Sequence, residues 1–474
     1  MSRSLVIFDQ ALRLQDNPAL YHAAKQGEIV AAFVYDPEVQ WPLGGASKWW
    51  LHHSLAALKA DLAAQGITLI LRRGDWLQSM LQLVKESAVS TVFWNRCYEP
   101  HNISKYKTLK SKLAENNIQT NSYNGSLLFE PWTVLNQQDH YFKVFTPFWN
   151  CCLKKGGIEA VHERPALRPA QVKLRSDALE DWKLLPSHPD WSGGLKEMWQ
   201  PGEKGAHKNL AAFIRHKLAH YTAGRDIPAD SMTSCLSPHL HWGEISPRQI
   251  WHVVRQHEMA GGNSRAAEKF LSELGWREFS YYLLYHFPEL PQKPFNGRFA
   301  GFPWAEETRG LRAWQRGQTG YPIVDAGMRE LWHTGYMHNR VRMIVASFLT
   351  KDLRIAWQEG AKWFWDTLVD ADLANNSASW QWVAGCGADA SPYFRVFNPV
   401  LQGTKFDPQG KYVRRWVPEL SRLADTYIHS PWQAKDDVLA KAHVVLGKTY
   451  PRPIVDHSIA REEALRAYKE IKAI

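Results

Sequence analysis

Leu5-Val6-Ile7-Phe8-Asp9 opens the chain, and Ile29-Val30-Ala31-Ala32-Phe33-Val34-Tyr35 follows after a helical stretch. Both runs are almost wholly apolar, of strand length, and rich in β-branched and aromatic residues. That is the pattern of strands covered on both faces. Three more strand-like runs are read at 68–72, 91–95 and 119–123, the last of them largely polar. Between them lie amphipathic stretches, such as 49–64 with Leu51, Leu55, Leu58 and Leu62 at helical spacing. Strand and helix in alternation predict an α/β region with a parallel sheet and helices on both sides. No GxGxxG follows the first strand, so the dinucleotide fingerprint is absent. The strand ends can still hold a small ligand.

Outward from this region the pattern changes. Pro165, Pro169, Pro186, Pro189 and Pro201, with Gly156, Gly157, Gly193 and Gly194, break any long element and mark an interdomain connector. From 206 onward, apolar residues recur at three- and four-residue steps, predicting helices at 206–221, 246–259, 264–287, 323–333, 338–358 and 361–369. The expected organisation is an α/β domain over 1–130, a connector over 131–205 and a large all-α domain over 206–474. A chain of 474 residues has room for this.

Composition narrows the function classes. With 45% hydrophobic and 22% charged residues, the chain can bury large cores. No apolar run approaches the length of a membrane span. The N-terminus begins on a strand-like run rather than a basic and apolar leader, so a secretory signal is not expected. Cys97, Cys151, Cys152, Cys235 and Cys386 show no CxxC spacing. Neither a disulfide framework nor a metal site is expected, and a cytoplasmic location is. Residues 1–150 hold 14 basic and 12 acidic residues, leaving 43 and 35 for the rest of a chain whose net charge is +10. An excess of positive charge in the larger part suits a polyanion such as DNA, or a solvated basic surface. The 23 tryptophans suit stacking on planar ligands or an electron path as well as core packing.

Four segments carry chemistry. Glu273, Trp276 and Arg277 share a helix face that could hold a stacked anionic ligand, or make an ion pair beside a core indole. In Met337-His338-Asn339-Arg340-Val341-Arg342-Met343, Asn339, Arg342 and Met343 share a face while Arg340 points elsewhere, within reach of a phosphate. His338 reads as a satisfied core histidine. Asp370 through Trp382 packs carboxylates, side-chain amides and two indoles into a polar run that favours turn geometry. Such a run suits a planar heterocycle with polar edges, or is a loop with helix caps. Thr233-Ser234-Cys235-Leu236-Ser237, after Tyr221 and Arg225, offers hydroxyls and backbone N–H groups to a phosphate, or simply caps a helix.

Together with Gly320-Tyr321-Pro322-Ile323-Val324-Asp325, these segments resemble the DNA photolyase and cryptochrome flavoproteins over essentially the whole chain. Gly44-Gly45-Ala46, Trp49-Trp50-Leu51-His52-His53 and Trp382-Val383-Ala384-Gly385 are most similar to the bacterial class III cyclobutane pyrimidine dimer photolyases. The resemblance implies a Rossmann-like antenna domain and an all-α domain that binds FAD. It implies FAD contacts at Tyr221, Thr233, Ser234, Leu236, Ser237, Arg342, Asp370, Asp372 and Asn376. Asn376 matches the residue facing flavin N5, where plant cryptochromes carry Asp. It implies a dimer pocket of Glu273, Trp276, Asn339 and Met343. Its electron-transfer triad is Trp380, Trp357 and Trp304, with Trp363, Trp365, Trp314 and Trp382 available for a branch. DNA-backbone contacts are implied at Arg225, Arg277, Arg340, Arg395 and Lys154. The (6-4) photolyases have a second His where this chain has Asn339, so the implied substrate is the cyclobutane dimer in UV-damaged DNA, flipped from the duplex, with the enzyme acting as a monomer.

One departure concerns the antenna. The family's first strand continues Trp-Phe-Arg-x-Asp-Leu-Arg, whereas this chain reads Ile7-Phe8-Asp9-Gln10-Ala11-Leu12-Arg13. Class III relatives imply methenyltetrahydrofolate as antenna, expected near Trp49 and Trp50. The competing expectation is a cryptochrome-like photoreceptor without repair activity. Asn376, the dimer pocket and a chain ending soon after the amphipathic run 458–471 all favour repair.

Overall fold

The computed structural model describes residues 2–306 and 308–473. Contacts divide the chain into two compact units. The first comprises Met1–Ala219, Ser234–Pro288 and Val369–Asp372; the second comprises His220–Thr233, Glu289–Leu368 and Leu373–Ile474.

The first unit is built on a parallel sheet of β1 (Ser2–Ile7), β2 (Gly27–Tyr35), β3 (Leu69–Arg73), β4 (Thr91–Asn95) and β5 (Gln119–Tyr123), in the order β3-β2-β1-β4-β5. The apolar runs form these strands because helices cover both faces. These are α1 (Pro18–Gln26), α2 (Gly45–Ala63), α3 (Trp76–Ser87) and α4 (Pro100–Glu115). Asn17 and Asp75 start α1 and α3 by accepting from the N–H groups of Leu20 and Gln78. Leu5, Ile7, Val30, Val92 and Trp94 on the sheet pack against Met80, Leu83, Leu109 and Leu113 on α3 and α4.

The strand order reverses between β1 and β4, which makes the loops after those strands the place for a ligand. Here internal pairs occupy them. Asp9 bonds Lys105 at 3.3 Å and the Tyr106 hydroxyl at 3.1 Å, and Gln10 donates to Glu99 at 3.2 Å.

The connector has a structural task. A short β6 (Arg168–Pro169) pairs with Glu28 and Ile29 of β2, on the side that β3 takes from Ala31 onward. Ser176 and Asp177 then bond the backbone of Leu71 and Arg73, so the open edge of β3 is covered.

In the loop after β1, six residues beyond Ile7, Arg13 is fully buried. It donates to the carbonyls of Asp16, Gly125 and Gly243. Asp16, also fully buried, pairs with Arg248 at 3.1 Å and accepts from Ser246 at 2.5 Å. Glu203 accepts from the N–H groups of Leu14 and Gln15. The second unit is helical. Its longer helices are Pro322–Thr334, Asn339–Ser347, Trp357–Thr367, Leu373–Ala384 and His457–Ala473.

Two expectations are corrected. The helix read over 338–358 stops in a π-helical turn at Phe348–Asp352, and a new helix begins at Trp357. Between them Arg354 takes φ +51°, which no helix accommodates. The polar run 370–382 is not a turn throughout, because Leu373–Ala384 is one helix. Its apolar residues Leu373, Ala374, Trp380, Val383 and Ala384 are buried and outweigh the polar propensities.

Replacing Arg13 by Met would strand three buried carbonyls and remove the charge facing Asp16. A loss of about 3–5 kcal/mol is expected, read as a lower urea midpoint at unchanged slope.

Candidate functional site

In the first unit, helix Ser264–His286 carries Glu273, Trp276 and Arg277. Gly275 lets this helix approach Trp149: a Cβ there would lie 2.7 Å from the indole. Trp276 is half-buried and stacks on Phe145, rings 3.9 Å apart at 10°. That stack holds one face of the indole rigid. Glu273 is partly exposed and lies 3.6 Å from Lys269 one turn back.

Arg277, expected at the DNA backbone, is buried. It donates to the Ser126 carbonyl at 2.8 Å, sits 3.5 Å from Glu278 and lies over the Tyr281 ring. Its Nη1 is engaged inside the unit. Burial pushes the Glu278 carboxyl up to about 7, while Arg277 and the N–H groups of Leu128 and Phe129 oppose that rise. Lys154 is exposed in the last turn of helix Phe145–Lys155.

Two carboxylates enter the same unit on Val369–Asp372. Asp370 accepts from the Ser237 hydroxyl at 2.6 Å. Asp372 accepts from His241 at 3.3 Å and from the Tyr281 hydroxyl. Burial alone would raise the Asp372 carboxyl. The hydrogen bond and charge of His241, with Arg277 and Tyr281, instead hold it below the usual carboxylate range. Asp372 is therefore an acceptor at every working pH, suited to N–H or O–H donors of a cofactor. Ser234 accepts from the Leu236 N–H, and Ser237 is exposed at the start of a short helix. Sequence reading missed His241 and Tyr281. Tyr281 stands one helical turn after Arg277, and His241 follows the hydroxyl run within Ser237-Pro238-His239-Leu240-His241.

Trp49 and Trp50 do not offer free stacking faces. Both are buried; Trp49 packs on His53, and Trp50 on Trp199 and His239. The expected antenna contacts at these two rings are thus replaced by packing within the unit.

In the second unit, Asn339, Arg340, Arg342 and Met343 lie on helix Asn339–Ser347. His338 caps it: its Nδ1 accepts from the Arg340 N–H at 3.2 Å, and its own N–H donates to buried Glu330. Asn339 is exposed. Arg342 donates to the Met337 carbonyl at 2.7 Å. Arg340 bonds Asp226 at 2.9 Å and lies over the Phe406 ring. Arg225 lies 3.8 Å from the same Asp226 and over buried Tyr221. Thr233 shares a hydrogen bond with Tyr336, and Arg395 is exposed.

Asn376 donates one amide proton to the Ala361 carbonyl at 3.0 Å, which fixes the amide orientation. Trp380 is buried, and helix Trp357–Thr367 reaches it only because residue 360 is glycine: a Cβ there would lie 2.1 Å from the indole. Trp380 meets Trp314 edge-on at 6.1 Å and Phe364 at 5.0 Å. Trp357 is buried, whereas Trp304 is partly exposed and packs on Phe302. Trp363 stacks on exposed Trp332 at 5.9 Å. The hydroxyls and carboxylates of the first unit, and by themselves the oriented amide and the indoles of the second, are groups of the kind that fit a flavin dinucleotide. Among the described residues no group of His, Cys, Asp and Glu could hold a metal ion.

The comparisons agree with this chemistry. Residues 4–169 match the family described as DNA photolyase, and residues 270–470 match the FAD binding domain of DNA photolyase. The chain therefore belongs to the DNA photolyase and cryptochrome family. It is 50% identical over 472 residues to a deoxyribodipyrimidine photo-lyase of Agrobacterium fabrum, covering 99% of this chain and 98% of that protein. It is 40% identical to cryptochrome-1 of Arabidopsis thaliana, covering 99% of this chain and 71% of that protein. Among solved structures it is similar to a bacterial class III photolyase from Agrobacterium tumefaciens. The TM-score is 0.97 at 49% identity, over 100% of this chain and 98% of that one.

Burial lowers the His338 imidazole from 6.5 to about 4, against the pull of Asp226. The unfolded chain takes up this proton first, so His338 costs stability as pH falls from 6.5 towards 4. His338→Asn keeps a helix cap without the titration. The pH dependence of its urea midpoint in that window should be shallower than that of the parent, by about 3 kcal/mol at most.

Proposed function

We propose that this protein is a light-driven DNA repair enzyme, a deoxyribodipyrimidine photo-lyase that acts on cyclobutane pyrimidine dimers in UV-damaged DNA. The near-full-length identity with a photo-lyase carries this reading. Bound and reduced, FAD would supply light-driven, reversible electron transfer to a flipped-out dimer, the chemistry that splits its cyclobutane ring back to two pyrimidines. The chain's residues bind and orient around that chemistry. Trp276, steadied by Phe145, stacks on the dimer. Glu273 and Asn339 hydrogen-bond its carbonyl and imide edges, where negative charge develops. Met343 supplies an adaptable apolar contact.

Tyr221, Thr233, Ser234, Leu236 and Ser237 take the diphosphate side of FAD. Arg342, Asp370, Asp372 and Asn376 take its ring and ribose. The Asn376 amide can stabilise reduced, anionic flavin without supplying a proton. Trp380, Trp357 and Trp304 deliver electrons for photoreduction. Arg225, Arg340, Arg395 and Lys154 contact DNA phosphates with little sequence preference. Residues 1–130 form the antenna-type domain, 131–205 the connector and 206–474 the catalytic domain. The enzyme acts as a cytoplasmic monomer. No helix among the described residues is long and apolar enough to cross a membrane.

The second reading, a photoreceptor without repair, is favoured by the similarity to cryptochrome-1. One experiment separates the two. Chemically reduced holoprotein is illuminated with blue light beside an oligonucleotide carrying a single thymine dimer, with a dark control. Light-dependent recovery of thymine absorbance is expected; bound reduced flavin without recovery, on single- and double-stranded substrate alike, sinks the repair reading.

Glu273→Ala should retain flavin and lower repair on the order of a hundredfold, measured as dimers split per unit light dose. Trp380→Phe should abolish photoreduction of oxidised flavin, followed by its absorbance, while protein reduced beforehand repairs normally.

A further inference from the structure

Lys351 is almost fully buried, 1% exposed, in the π-helical turn Phe348–Asp352. A buried lysine is rare and needs a reason, because its ammonium loses its water. π-Helical turns are also rare and gather at functional sites. Nothing in the repair chemistry above uses this side chain.

Its contacts point to one segment. The ammonium donates to the Arg395 carbonyl at 3.1 Å and lies 5.2 Å from the centre of the Tyr393 ring. From the helix just before the turn, the Ser347 hydroxyl accepts from the Phe397 N–H at 3.2 Å. A turn from the Pro392 carbonyl to the Arg395 N–H completes the brace. The chain from 393 to 397 is thereby tied at three points, while the side chains of Phe394 and Arg395 face solvent. Unbraced, this irregular segment would lose conformational entropy when DNA ordered it.

We propose that Lys351 is a positioning residue for DNA binding: its ammonium, through the Arg395 carbonyl, sets the Arg395 guanidinium against a DNA phosphate. This rests on the reading of Arg395 as a phosphate contact. Lys351 cannot itself touch DNA, since it is buried.

The charge on Lys351 matters to the brace, because a charged donor holds a carbonyl more tightly than a neutral one. Burial lowers the amine to about 8; Asp352 opposes that, Arg395 adds to it, and Cys386 opposes it. The surroundings include Tyr393, with Arg354 and Tyr468 beside it, the Asp352–His457 pair and the Arg354–Glu463 pair.

The test is the salt dependence of holoprotein binding to a duplex carrying one thymine dimer. Each phosphate contact contributes about 0.9 to the slope of log affinity against log salt. Arg395→Gln should flatten the slope by about 0.9. Lys351→Met, with flavin retained, should flatten it by the same amount, and the double variant no further. If Arg395→Gln flattens the slope and Lys351→Met does not, the proposal is overturned. If Arg395→Gln changes nothing, Arg395 is not a phosphate contact and the proposal falls with that reading.

Should Lys351→Met fail to fold, the parent protein answers instead. Its slope should flatten between pH 7 and pH 9 towards that of Arg395→Gln, whose own slope stays constant. A parent slope that does not move overturns the proposal.

Discussion

The first unit depends on a buried ion cluster in the loop after β1. Arg13, Asp16 and Arg248 lie buried in the same interior, and the Asp16 carboxylate offsets the charge of the two guanidiniums. Arg13 gathers carbonyls from three separate parts of the chain, and Asp16 binds Arg248 through both carboxylate oxygens. Such a cluster adds little net stability over an apolar alternative, but removing one member is severe. Its effect is to fix the register between the sheet and the helices Glu203–His216 and Pro247–Met259.

The candidate site is governed by close approach and by placement of charge. Gly275 and Gly360 each bring a helix backbone against an indole, so Trp149 and Trp380 are held without rotamer freedom. Asp370 and Asp372 lie at the start of the segment that becomes helix Leu373–Ala384. Their partners, Ser237, His241 and Tyr281, orient the carboxylates before any cofactor arrives. Preformed acceptors spare the reorganisation that a flexible carboxylate would need on binding.

Much of this was legible in the residues. The strand at 91–95 stands where its apolar and β-branched run places it, and helix Ser264–His286 follows its periodicity. What escaped lacked a local sign. The break after Asp352 has neither Gly nor Pro at its strained position; Arg354 takes positive φ through tertiary contacts. The run after Asp372 is polar by composition, yet its few large apolar residues decide for helix. Arg277 looks like any basic surface residue, and only its long-range bond to Ser126 buries it. Lys351 is similar: its partner lies 44 residues away. The motif residues are close in sequence and so are visible in it, whereas the groups that hold them are distant.

The first unit recruits Val369–Asp372 from late in the chain. That assigns an order to biosynthesis. Strands β1 to β5 can pair as they leave the ribosome, since all their partners come early. The bonds from Ser237 to Asp370 and from His241 to Asp372 must wait until the chain has been made past residue 372. At roughly 5–20 residues per second, the nascent protein spends many seconds with its sheet formed and the partners of those two carboxylates unsatisfied. Completion of this part of the first unit is therefore a late event in the life of each molecule, gated by translation as well as by the folding of the sheet.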